Sequence, residues 1–262
     1  MDSMRSIAIW ASLVFAVTSD PGMVNGQSET TRTSPHTAHP GICEPSPLVA
    51  QTGSPAWYKE REEAAWRGDL CAQETIASCY RAGTCGFPKD NSISMFLYER
   101  AAEQGSVHSQ MIVAGAYLTG TFGFPKSPGE AAKWYRRAAE SGDPWPMNSL
   151  AELYDSGIAV PQNFVEAAKL YRLSAEMNWS SAQRRLGELY AEGRGVPRNV
   201  VKAHFWLSLA CSNEETDACD MRDALASGMN SDQVAEAQRQ TLAWKPKPRP
   251  AQTVTPAKAS RP

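Results

Sequence analysis

Tyrosine returns at positions 80, 117, 154 and 190, at intervals of 37, 37 and 36 residues. No other feature constrains the chain as much, because a fixed period of this size marks a stacked array of similar units. Other positions keep step. Gly83, Gly120, Gly157 and Gly193 each follow a tyrosine by three residues, and Pro88, Pro125, Pro161 and Pro197 come after them. A second series marks the unit boundary at Gly68, Gly105 and Gly142, and then at Asn178. After Gly, Asn is the residue that best tolerates a left-handed backbone, so the exchange predicts the same turn.

Each unit reads as two helices. In the fourth, Ala182, Leu186, Leu189 and Tyr190 share one helical face, a spacing that predicts an amphipathic helix. Gly193 ends it, Gly195 and Pro197 interrupt the chain, and a second helix from near Asn199 turns Ala203, Trp206, Leu207 and Ala210 inward. The third unit repeats the plan with Leu150, Leu153 and Tyr154, then Ala167, Leu170, Tyr171 and Ser174. The second offers Val113, Ala116 and Tyr117, then Ala131, Trp134, Tyr135 and Ala138; the first offers Ile76, Cys79 and Tyr80, then Phe96, Leu97 and Ala101. Ala77, Ala114, Ala151 and Gly187 are equivalent and small, where a larger side chain would push neighbouring helices apart. A lone hairpin would leave its apolar stripe in water, whereas stacking buries it, so the array is the folding unit.

The runs 182–197 (AQRRLGELYAEGRGVP) and 130–142 (EAAKWYRRAAESG) resemble Sel1-like repeats, and the resemblance extends from about Trp57 to Pro246. It implies an all-α fold, a right-handed α/α superhelix of about four helix-turn-helix repeats with terminal capping helices, related to tetratricopeptide arrays. The usual role it implies is holding other proteins together. The repeats are expected over 69–105, 106–142, 143–178 and 179–216. An amino-terminal capping helix precedes them over 56–68, since Ala64 and Ala65 align with Ala101 and Ala102. Two carboxy-terminal capping helices follow over 217–244, carrying Ala224, Leu225, Val234, Ala237 and Leu242, with a cap at Asn230-Ser231-Asp232.

Outside the array, the apolar run Ile7 to Val17 follows Arg5. It falls short of the roughly 20 residues of a membrane span, so no stable membrane anchor is expected. Residues 1–26 read as a cleaved signal peptide and the chain as periplasmic or secreted; a buried amino-terminal helix is the alternative. Residues 27–55 are rich in Ser, Thr, Pro and Gly and read as a disordered linker. Residues 245–262, opening on alternating Lys or Arg and Pro, read as a disordered tail. A net charge of −2 gives no electrostatic ground for nucleic acid.

Six cysteines, Cys43, Cys71, Cys79, Cys85, Cys211 and Cys219, suit disulfides in an exported chain. Cys211 and Cys219 flank a turn between two helices, and the pair also resembles a placement in the cysteine-rich secreted branch of the repeat family. Cys79 with Cys85, and Cys43 with Cys71, is the preferred completion; free buried thiols are the alternative if the leader is retained.

Chemistry is sparse. His108 and His204 read as structural, with His204 on a helix surface, and His36, His39 and Cys43 as a fortuitous group; no metal or cofactor is expected. No phosphate loop, dinucleotide fingerprint or Ser/His/Asp arrangement stands out. What remains is surface. Projection of the first helices onto the concave side of such a solenoid selects Arg184, Glu188 and Ala191, then Asn148, Glu152 and Asp155, then Met111, Gly115 and Leu118, then Glu74, Ser78 and Arg81. The partner-binding set is Met111, Leu118, Asn148, Glu152, Asp155, Arg184 and Glu188. Its acidic groups predict a partner protein or peptide with apolar anchors and a basic flank. The expected function is an exported scaffold for protein–protein interaction in envelope signalling or assembly. The alternative, a hydrolase of cell-wall or β-lactam substrates, rests on an activity attributed to cysteine-rich relatives.

Overall fold

The computed structural model describes residues 54–249. The expected signal peptide, most of the linker, Cys43 and the His36/His39 pair lie outside the described residues. Among those described there are eleven α-helices and no strand. The helix α1 (Pro55–Trp66) precedes four hairpins: α2 (Leu70–Ala82) with α3 (Asn91–Glu103), α4 (Val107–Thr119) with α5 (Pro128–Ala139), α6 (Pro144–Ser156) with α7 (Phe164–Glu176), and α8 (Ser180–Glu192) with α9 (Val200–Ser212). The helices α10 (Thr216–Ala226) and α11 (Ser231–Ala243) close the row, both packed on α9. Each of the first nine helices packs on the next in sequence, which makes the molecule an all-α solenoid.

The tyrosine period has a backbone cause. The carbonyls of Tyr80, Tyr117, Tyr154 and Tyr190 accept the N–H of Asp90, Ser127, Asn163 and Asn199 at 2.8–2.9 Å. Those four residues are also the N-caps of α3, α5, α7 and α9. One bond therefore closes the loop and sets where the second helix starts. Rings reinforce it in the first two units, where Tyr80 packs on Phe87 at 4.8 Å and Tyr117 on Phe124 at 4.7 Å between centroids.

Left-handed residues punctuate both ends of each hairpin. Asn178, standing in the boundary glycine series, has φ 66°, as its sequence position predicts, and Glu214 extends that series at φ 67°. Gly195 has a further constraint. At φ 67°, a Cβ placed on it would lie 2.1 Å from the carbonyl oxygen of Phe164, so the fourth loop presses its backbone against the start of α7. Gly187 is similarly tight, since a Cβ there would meet Leu207 at 2.8 Å.

A buried polar series accompanies the apolar one. Gln73, Gln110 and Gln183 donate Nε2 to the carbonyls of Ala65, Ala102 and Ala175 at 3.0–3.2 Å, tying α2, α4 and α8 to the end of the helix before each; Met147 stands at the matching position of α6. The same carbonyls also accept the backbone N–H of Gly68, Gly105 and Asn178 at 3.0 Å, so each glutamine adds a second bond at the seam.

Three sequence expectations need correction. Phe96 is 47% exposed; Met95, Leu97 and Tyr98 carry the inward face of α3 instead. Phe96 stacks outside on Trp66. Leu242 is 88% exposed, leaving Ala237 as the buried residue of α11. The tail does not leave the domain at Lys245: Trp244 packs against the core around α8, and Lys247 donates its backbone N–H and its Nζ to the carbonyl and carboxylate of Glu176, each at 2.7 Å.

Replacing Gly195 by Ala should destabilise the fold by about 2 kcal/mol or more, through a strained left-handed backbone and a backbone clash, lowering the melting temperature by roughly 4–8 °C. A thermal melt followed by circular dichroism measures it. Asn178→Gly keeps the left-handed turn but loses the side-chain bonds to Gln183 and Asn213, so it should cost less, about 1 kcal/mol.

Candidate functional site

Asn148, Glu152 and Asp155 occupy successive turns of α6, and Arg184, Glu188 and Ala191 the matching turns of α8. The helix α7, between them in sequence, contributes Tyr171, and the loop after α8 contributes Arg194. Glu188 is the hub of the α8 group. It pairs with Arg184 through Oε1 and with Arg185 through Oε2, the latter at 3.0 Å. Asn148 donates Nδ2 to Glu152 Oε1 at 3.0 Å. Asp155 stands 4.0 Å from Arg194 Nη1, beyond hydrogen-bonding distance, while the Arg194 guanidinium also lies over the Phe164 ring and beside Glu192.

Burial, not charge, dominates the titration of this cluster. Glu152 is pushed up to about 7 by desolvation, against the opposing pull of Arg185, the Asn148 hydrogen bond and Arg184. Asp155 is raised for the same reason, opposed by Arg185 and Arg194. Tyr171 is raised well above its ordinary value by burial, then by Glu152 and Asp155. Burial opposes the charge of Arg185, but Glu188 and Tyr171 outweigh it and hold the guanidinium ionised. Asn148 Oδ1, Asp155 Oδ1, the Tyr171 hydroxyl and the Nε of Arg184 and Arg185 are all buried without a hydrogen-bond partner. Native interiors carry few such groups, and here they gather in one cluster.

The structure brings together Asn148, Glu152, Asp155, Arg184 and Glu188 from the sequence-expected set. Met111 is 6% exposed and packs into the core beside Ala114 and Tyr135, so it offers little surface; Leu118 is half-buried against the same core. In the first unit, Glu74 is buried and accepts from Ser106 and Ser109, and Arg81 lies over the Tyr98 ring. The acidic character expected of this face is matched by three arginines. Sequence projection missed Arg185, Arg194 and the hydroxyl of Tyr171. A signal existed: Tyr98, Tyr135 and Tyr171 recur on the second helices and give way to Leu207 in the fourth.

Both expected bridges within the described residues are formed: Cys79–Cys85, with Cα atoms 5.7 Å apart, and Cys211–Cys219, at 4.8 Å. Cys71 is not a free thiol, while its expected partner, Cys43, lies outside the described residues. Oxidised cysteines point to a non-reducing compartment. Among the described residues no helix is long and apolar enough to cross a membrane.

His204 is 5% exposed, not on the helix surface as its sequence position suggested. Its Nδ1 lies 3.3 Å from Ser208 Oγ one turn along α9, and burial followed by Arg222 lowers its pKa, favouring the neutral ring.

The Sel1 repeat family model matches residues 72–106, 107–143, 147–179 and 180–214, more than half of the chain. The chain belongs to the Sel1 repeat family. Among solved structures, this Sel1-repeat protein is similar to c5321, a protective antigen of uropathogenic Escherichia coli strains displaying an SLR fold. The two share 27% identity at a TM-score of 0.61, over 71% of this chain and 39% of that one. It is also similar to a Sel1 repeat protein from Oxalobacter formigenes, at 30% identity and a TM-score of 0.59, over 64% of this chain and 48% of that one. The chain thus spans less than half the length of either. No curated protein matches the sequence significantly. Sel1-repeat proteins generally mediate protein–protein interaction.

Because Glu152 holds its proton more tightly in the fold than its ordinary 4.5, the folded state binds more protons across the interval up to about 7. Stability should therefore fall as pH rises through that window and level off above it, by about 3 kcal/mol at most. Urea melts at pH 5 and pH 8 test this, and Glu152→Gln should flatten the difference.

Proposed function

We propose that this Sel1-repeat protein is an exported scaffold that captures another protein through its concave, first-helix face, in envelope signalling or assembly. The observation that supports this reading most is the set of polar groups around Glu152, Asp155, Arg184, Arg185 and Glu188. They are fixed on two helices of a rigid array, with several hydrogen-bonding groups unpartnered. Side chains already held by one another lose little freedom on docking, so such a face is preorganised for a partner. The row also favours an extended partner, since each unit repeats the same surface one step further along. The disulfides Cys79–Cys85 and Cys211–Cys219 support export, because such bridges persist outside the reducing cytosol.

Photo-crosslinking residues placed at Ala191 and at Leu118 should trap a partner from envelope extract. Excess unmodified protein should compete the product away. The same probe at Leu173, exposed on a second helix, should trap nothing competable. Competable products from Leu173 alone would move the docking face to the other side of the array, and none from any position would sink the scaffold reading. Protein recovered from the envelope or medium should start at or near Gln27, as amino-terminal sequencing will show; a retained Met1 would remove the signal peptide.

A further inference from the structure

On the reading that the first-helix face is the docking face, the way the three arginines are satisfied sets the charge of the partner. Arg184 and Arg185 share a single carboxylate, Glu188, each through one Nη, and the Nε of both is buried without an acceptor. Arg194 approaches Asp155 only to 4.0 Å, and its other ionic contact, Glu192, is itself half exposed. The acids nearby do little to saturate these groups. Glu152 is occupied by Asn148, and its burial leaves it only partly ionised at neutrality. A guanidinium presents five N–H groups in a planar fork, and these contacts engage only part of each.

Two of the three forks open outward. The side chains of Arg185 and Arg194 are 38% and 39% exposed, whereas Arg184 is 19% exposed. Arg185 pairs with Glu188 and Arg194 with Glu192, one helical turn apart on α8, which puts the two open groups on the same side of that helix. We propose that the partner segment docked on this face presents an aspartate or glutamate carboxylate to the guanidinium groups of Arg185 and Arg194. A carboxylate is planar, accepts two parallel N–H bonds, and matches the guanidinium fork better than a lysine or amide would match anything on this face. A carboxylate reverses the basic flank expected from the sequence, which counted Glu152, Asp155 and Glu188 with Arg184 but without Arg185 and Arg194.

A random-peptide library displayed on phage, panned against the full chain, supplies the test. Selected peptides should be enriched in Asp and Glu. A synthetic peptide of the selected sequence, blocked at both ends so that only side-chain carboxylates count, should bind the wild type. Its binding should weaken about tenfold or more with either Arg185→Gln or Arg194→Gln, the scale of one charge-assisted hydrogen bond. Lys133→Gln, on an exposed site of α5, should bind as the wild type does, and Arg185→Lys should fall between because it keeps charge but loses the fork. Thermal melts establish that each variant is folded. Enrichment in Lys and Arg, or acidic peptides whose binding ignores both arginine variants, overturns the proposal. Apolar peptides selected without acidic residues overturn it too, while leaving the scaffold reading standing. A library yielding no binder to the wild type would count against both.

Discussion

An apolar flank that a helical hairpin cannot cover for itself governs this protein. Each hairpin buries its own inner faces in part and leaves the rest to its neighbour, so stability accumulates along a row. The ends then become the exposed places. At the amino-terminal end α1 covers α2 with Ala65, and at the carboxy-terminal end α10 and α11 cover α9 with Ala218 and Ala237. The small residues at Ala77, Ala114, Ala151 and Gly187 follow from the same need, since only they allow helices to approach closely enough to exclude water.

Polar chemistry is arranged by the same repetition. The glutamines that pair with the carbonyls of the preceding unit, and the N-cap residues that return to the tyrosine carbonyl, satisfy the backbone at the seams. Where a polar group serves the seam it is paired. Around Glu152 and Arg185 the pattern breaks, with acids, guanidinium groups and a tyrosine hydroxyl sharing too few bonds. That contrast separates groups that hold the array together from the groups of the proposed docking face.

The legible part of the sequence was the part that repeats. Tyr80 to Tyr190 gave the unit, Asn178 gave a left-handed turn, and Asn230 gave a helix cap, because each depends on local backbone chemistry that a residue type expresses directly. The same holds for Cys211–Cys219, whose spacing across one turn limits its partners. Phe96 and Leu242 misled because hydrophobic character alone says nothing of phase when a neighbouring residue, Tyr98 or Ala237, already fills the seam. Arg185 and Arg194 went unnoticed for a related reason. They fall outside the helical positions projected onto the groove, and a long side chain reaches a site that its Cα does not border.

Sequence by itself determined the helical hairpin, its length, its terminators and the stacking of four Sel1 units, since all of these are encoded within one period and read out by neighbours. Only the tertiary structure decided the electrostatic character of the face. The protonation of Glu152 and the shared claim of Arg184 and Arg185 on Glu188 depend on burial and on side chains from adjacent helices. Charge at a site is a property of distance and dielectric, and neither is written in the order of residues.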